Sequence, residues 1–254
     1  MRYLFVGDTH HELNLDKLRS PEVAALNLLP QDALIHCGDF GAPWRTETDD
    51  VLSWWQSRPY KVIINLGNHE NFGWILHQPV IQRFGCRGYD LGGNLFAPLP
   101  GEVALIGGKR FWFYPGGFSI DFFLRKPGLD VFAEELLPNS QAQDILARFF
   151  RRRVPDYIIS HDGPRSFIMT HFGFPIAQPP DAYFTHTGSL PGSRAHPAFV
   201  LDQIYHARRF HTWFFGHHHR DMAADGLRCL YHQMVLVDSR SGESGLIVPE
   251  PANG

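Results

Sequence analysis

Five short apolar runs in this chain each break off in a cluster of Gly, Asp, Asn or His. Residues 3–6 lead into Gly7-Asp8-Thr9-His10, residues 33–37 into Gly38-Asp39, and residues 62–66 into Gly67-Asn68-His69-Glu70. Residues 157–160 lead into His161-Asp162-Gly163, and residues 211–215 into Gly216-His217-His218-His219. Apolar runs of this length, bounded by turn residues, read as buried strands. A tight turn has a use for Gly and Asn but none for His and Glu. One such cluster is an ordinary turn; its recurrence at strand after strand calls for chemistry. In open α/β sheets, ligands gather beyond the carboxyl ends of the strands, so clusters far apart in sequence can converge in space.

Between the strands lie helical patterns over 15–28, interrupted near Pro21, and over 49–57, with Trp54 and Trp55 partly toward the core. This alternation predicts an α/β fold with helices layered on sheets. Residues 72–84 predict a helix bent or ended near Pro79, and 85–100 predict loops with brief strand pieces. Residues 103–106 and 110–114, joined by Gly107-Gly108, predict a hairpin that opens a second sheet. Helices are expected over 142–152 and 196–208, and a last hairpin from 227–231 and 234–238. Residues 116–152 are loop-rich. Residues 167–197 predict a long ordered loop walling the site, with His171, His186 and His196 structural or on its rim. The tail 248–254 is expected to fray. The 254 residues would also permit two domains. Without a repeat or a linker, residues 1–254 are read as one domain with loop-rich insertions around 116–152 and 167–197 that shape the site.

The strand-end donors are Asp8, His10, Asp39, Asn68, His161, His217 and His219. Oxygen and imidazole without thiolate suit Mn, Fe or Zn better than Ca or Mg. The set is too large for one catalytic ion with an open position. It fits two divalent ions sharing a carboxylate, which at about 3.5–4 Å apart clamp the attacking and leaving oxygens of an in-line displacement. Phosphoester hydrolysis is the matching reaction.

These five blocks, in this order, resemble those of the calcineurin-like metallophosphoesterase superfamily. The resemblance implies a four-layer α/β/β/α sandwich with two central mixed β-sheets. It also implies one ion on Asp8, His10, Asp39 and His219, and another on Asp39, Asn68, His161 and His217, with Asp39 bridging. His69 would be the acid beside the leaving oxygen, a metal-bridged hydroxide the nucleophile, and His218 would point away. Mn is the expected metal, with Fe, Zn and Ni able to share the ligands. The family's protein Ser/Thr phosphatases usually carry Asp-Arg-Gly after the second block and Arg before the third. Here Phe40-Gly41-Ala42 and Leu66 stand there, so a phosphodiesterase is favoured, then a phosphomonoesterase. Together with Gly116-Gly117-Phe118-Ser119-Ile120-Asp121, the pattern is similar to small bacterial and phage metallophosphoesterases. Arg125 and Arg220 are the remaining arginines that could touch a substrate, and the surface reading is preferred for both.

Net charge of -3 supplies no global field for nucleic acid, so a small-molecule phosphoester is the expected substrate and a nuclease ranks lower. A scaffold that had lost catalysis should lack ligands, and none is missing. Cys37, Cys86 and Cys229 read as buried thiols of a reducing compartment. No apolar run is long enough to span a bilayer. With no leader pattern at residues 1–6, the expectation is a cytoplasmic protein without membrane contact.

Overall fold

The computed structural model describes residues 1–44 and 46–250; the last four residues of the expected frayed tail lie outside the described residues. Strands in chain order are β1 Arg2–Val6, β2 Ala33–His36, β3 Lys61–Ile64, β4 Val80–Arg83, β5 Cys86–Asp90, β6 Leu95–Pro98, β7 Val103–Ile106 and β8 Lys109–Tyr114. They continue with β9 Leu137–Pro138, β10 Tyr157–Ser160, β11 Arg194–Ala195, β12 Thr212–Phe215, β13 Met222–Ala224, β14 Leu227–Cys229, β15 Met234–Asp238 and β16 Ser244–Ile247. The α-helices are α1 Asp16–Arg19, α2 Pro21–Ala25, α3 Asp50–Gln56, α4 Phe72–Ile75, α5 Asn139–Arg151, α6 Arg165–Phe172, α7 Asp181–His186 and α8 Pro197–His206.

Two mixed sheets organise the chain. One has the order β16-β15-β1-β2-β3-β6-β5-β4, the other β13-β14-β12-β10-β8-β7. In the first, β1, β2, β3 and β6 are parallel neighbours; in the second, β8, β10, β12 and β14 are. Antiparallel strands border both.

Period-two alternation in the strands sorts their side chains onto two faces. Leu4, Leu34, Val62 and Ile64 join Leu15, Leu18, Val51, Leu52 and Trp55 in one apolar cluster, sheet against helices. The opposite face, with Tyr3, Phe5, Ile35 and Ile63, meets Phe111, Phe113, Ile159 and Phe214 of the other sheet. Trp112, Ile158, Trp213 and Phe215 then pack on Ile145, Phe149, Phe167, Leu201 and Ile204. Through these clusters helices pack on one face of each mixed sheet and the two sheets pack on each other, an α/β fold as expected. Phe5 and Phe214 stack across the seam, centroids 3.8 Å apart.

Several local expectations are corrected. The helix over 72–84 stops at Ile75, and Val80–Arg83 is an edge strand. Pro79 disfavours helix in the residue before it, and β-branched Val80 and Ile81 suit a strand. Within 85–100, β6 is a fully buried parallel neighbour of β3, more than a brief piece. Residues 167–197 are no continuous loop: they carry most of α6, all of α7, and β11. Gly173, at φ 76°, ends α6 in a left-handed turn,. The final hairpin does not form. β14 pairs with β12 and β13, whereas β15 pairs with β1 and β16; the chain crosses the seam between them, burying Leu230 there. Among the described residues, no helix is long and apolar enough to cross a membrane.

Candidate metal centre

Parallel register sets the strand tips level. Val6 lies opposite His36 and His36 opposite Ile64; Tyr114 lies opposite Ser160, and Ile159 opposite Phe214. The residues just beyond these ends therefore meet at the seam. Asp8, His10, Asp39 and Asn68 come from one sheet, and His161, His217 and His219 from the other. Asp39, His10, His217 and His219 hold φ between 47° and 68°, a left-handed conformation that costs about 1–3 kcal/mol at a non-glycine residue. Glycines beside them allow close approach. A Cβ on Gly67 would fall 2.1 Å from Asp39 Oδ1, and one on Gly216 would fall 2.1 Å from Asp8 Oδ1.

One group of donors is Asp8, His10, Asp39 and His219; a second is Asp39, His161 and His217. Within each, one ligand atom per residue lies within 4.8 Å of the others, a spacing that could hold a metal ion. Asp39 belongs to both. His10 Nε2 and His219 Nε2 face each other at 2.8 Å.

The second group tests whether a cation fits. His161 Nδ1 lies 3.1 Å from the Cys37 carbonyl, to which it donates. Its Nε2 then faces two acceptors, Asn68 Oδ1 at 2.9 Å and Asp39 Oδ1 at 3.1 Å. Asn68 cannot relieve this, because its Nδ2 donates to Ser119 Oγ at 3.0 Å. Lone pairs converging in a dry interior need a positive charge among them. In the bare protein a proton takes that place: burial lowers the His161 pKa, but Asp39 and Asp8 carry it up to about 9. A divalent ion fits the same need.

A family model for calcineurin-like phosphoesterases matches residues 1–221. The chain belongs to that family. As a calcineurin-like phosphoesterase it is a metal-dependent phosphoester hydrolase. No curated protein sequence matches it. One solved structure resembles it with a TM-score of 0.53 at 11% identity, covering 98% of this chain and 99% of the other; that likeness shows the fold alone. A Staphylococcus aureus structure described as a 5'-nucleotidase, in complex with alpha-ketoglutarate, gives 0.46 at 13% identity over 98% of this chain and 53% of its own. Phosphopantetheinyl hydrolase from Mycobacterium tuberculosis gives 0.44 at 18% over 99% and 97%.

Around the donors of this phosphoesterase stands a set of residues that sequence reasoning missed. The Glu70 carboxylate accepts from the backbone N–H groups of Phe40, Gly41 and Gly67, at 3.0, 2.9 and 3.0 Å. It ties the Asp39 turn to the Asn68 turn. Burial, then Asp39, raise its pKa to about 7 against those donors. Lys17, buried in α1, donates to the carbonyls of Gly7, Asp8 and Tyr231; burial lowers its pKa to about 8. Asp162, directly after His161, accepts from His218 Nε2 at 2.8 Å. Burial would raise its carboxyl, but His218, His217 and His196 draw it far below the usual range. Asp162, His217 and His218 form a third donor group, and the His218 ring packs on Phe172 and Phe174. A buried relay runs from Asn68 through Ser119 Oγ to Glu135 Oε2, the last step 2.8 Å.

His69 sits between the donors and a cation. Its backbone N–H donates to Asp39 Oδ1 at 2.7 Å, and its ring lies edge-on to His10, centroids 4.8 Å apart. Burial lowers its pKa to about 4, Arg125 adding to this and Asp39 opposing it, so the free protein holds it neutral. The expectation that Arg125 lies on the surface is corrected: its side chain is 13% exposed and reaches His69. Segment 116–131 folds back over the site, which no periodicity foretold. Arg220 stacks over Phe172 and Phe174 but stays exposed, as expected of a surface residue. His10, Asp39, Asn68, His69, His217 and His219 line a cavity of about 1230 Å³ whose apolar walls include Phe118, Ile120, Phe174 and Ile176. His196 lines it, 3.6 Å from Asp162. His186 stands behind, donating to the Arg125 carbonyl at 2.9 Å.

Proposed function

We propose that the chain is a dinuclear phosphodiesterase acting on small phosphoesters, with residues 1–254 working as one unit. The observation that carries this is the shared Asp39. Its two oxygens face different donor groups: Oδ1 lies 3.1 Å from His161 Nε2 and Oδ2 lies 3.6 Å from His10 Nε2. One ion would take Asp8, His10, Asp39 and His219, the other Asp39, Asn68, His161 and His217. Mn suits these ligands best, with Fe, Zn or Ni as substitutes. Ions held there supply Lewis acidity and lower the pKa of a bound water.

The chain's own residues do the remaining work. Glu70 and Lys17 fix the turns that carry Asp39 and Asp8. Asn68 presents its oxygen because Ser119 holds its amide. His69, neutral, offers an N–H to the leaving oxygen, as an uncharged imidazole can when burial disfavours its charged form. Diester preference is supported by the positions where the family's protein phosphatases carry arginine. Gly41 and Leu66 stand there, both buried and neither able to carry a charge.

The decisive experiment pairs metal analysis with side-by-side hydrolysis of an aryl diester and an aryl monoester. Two ions per chain and faster diester turnover are expected; one ion, or a monoester preference, overturns the respective half. His69→Ala should keep its metals and lose rate, most for poor leaving groups. Equal rates would remove His69 from the mechanism.

A further inference from the structure

We propose that Arg125 grips a non-bridging oxygen of the substrate phosphate and tunes the site to a singly charged diester. The inference rests on the hydrolase reading above. Arg125 Nη1 lies 3.0 Å from His69 Nδ1, and Nη2 lies 3.0 Å from His69 Nε2. An imidazole has at most one free ring lone pair in either protonation state, so at most one of these contacts is a hydrogen bond. The other sets N–H against N–H. A substrate oxygen that displaces the repelling contact gives that guanidinium N–H an acceptor, and a guanidinium fork matches phosphate oxygens in shape and charge.

Position agrees with this role. Arg125 lines the same cavity as His10, Asp39, Asn68, His217 and His219. Among the described residues it is the one Arg or Lys that does so. It is also built in. Asp121 accepts from Nε at 2.9 Å and from Nη2 at 2.8 Å, and the Asp130 carbonyl accepts from Nη1 at 3.2 Å. Beneath the segment, Phe118, Phe122, Val131, Leu136, Tyr183 and Phe184 form an apolar cluster of their own. A merely solvated arginine has no need of that support.

Charge sets the preference. The Asp121 carboxylate already offsets the guanidinium, so an arriving dianion meets one cation and one anion together. A diester monoanion loses less to that repulsion than a monoester dianion. Removing Asp121's charge should therefore favour the dianion more, an effect that a plain phosphate-binding arginine would not show.

The test titrates the metal-loaded full chain with dimethyl phosphate and with inorganic phosphate at pH 8, by calorimetry, alongside aryl diester kinetics. Arg125→Gln should weaken both anions about 10–100-fold, the worth of a charge-assisted hydrogen bond. Metal content and melting midpoint should stay as in wild type, and Arg125→Lys should recover part of the loss. Asp121→Asn should tighten inorganic phosphate several-fold more than dimethyl phosphate. Should Arg125→Gln fail to fold, Arg125→Lys and Asp121→Asn still decide. Unchanged anion affinity in the arginine variants overturns the assignment, and equal tightening of both anions in Asp121→Asn overturns the charge preference. Wild-type protein that binds the anions but hydrolyses no aryl phosphoester defeats the hydrolase reading and leaves Arg125 as an anion site.

Discussion

Glu135 should make this protein less stable as pH rises, and a single substitution should reveal it. The carboxyl is fully buried, and burial raises its pKa from 4.5 to about 8, although Ser119 and Tyr183 oppose this by hydrogen bonding. The sign follows from proton counting. Between pH 4.5 and about 8 the native chain holds a proton on Glu135 that the unfolded chain has released. Stability is therefore full below pH 4.5 and falls by about 1.4 kcal/mol per pH unit through the window. The whole loss is about 5 kcal/mol, or about 10–20 °C in melting midpoint for a chain of this size. Glu135→Gln carries no such proton. Urea unfolding of metal-free wild type and Glu135→Gln from pH 5 to 9 gives a difference curve in which the histidines, common to both, cancel. The variant should match wild type near pH 5 and exceed it near pH 8.5. A flat difference curve, or a variant weaker at both ends, refutes the reasoning.

Glu70→Ala leaves three buried N–H groups without their acceptor, at about 1–3 kcal/mol each. It should lose at least about 3 kcal/mol by urea unfolding and bind metal about 10–100-fold more weakly by equilibrium dialysis. Gly67→Ala forces a Cβ into Asp39 and should lower bound metal, measured by elemental analysis, while far-ultraviolet circular dichroism keeps its native shape. Removing metal with a chelator should lower the melting midpoint, and Mn should restore it in a concentration-dependent way.

Much of the site was legible because its residues obey a local rule. Asp8, Asp39, Asn68, His161 and His217 each sit just past a strand, and a strand is readable from four or five apolar residues. Arg125 obeys no such rule. It enters through a segment without period, whose course is set by Phe118, Phe122 and Tyr183 meeting across sixty-odd residues. Lys17 carries no local signal either; only the fold brings the Gly7, Asp8 and Tyr231 carbonyls around it. The false final hairpin has the same origin. Residues 227–231 and 234–238 are each good strands, and nothing local says that they belong to different sheets. Asp162 did leave a signal, an acid directly after a candidate ligand, which a search for partners of the histidines would have found.

The Phe5–Phe214 stack has a consequence for evolution and engineering alike. Each ring sits three residues upstream of a donor, Asp8 and His217, on opposite sheets. Any change in how the two halves slide against each other is handed directly to the spacing of the two candidate donor groups. Mutations deep in that apolar join, far from any substrate, should therefore read out first as altered metal affinity and only later as unfolding. The catalytic rate of this protein then doubles as a gauge of its central packing.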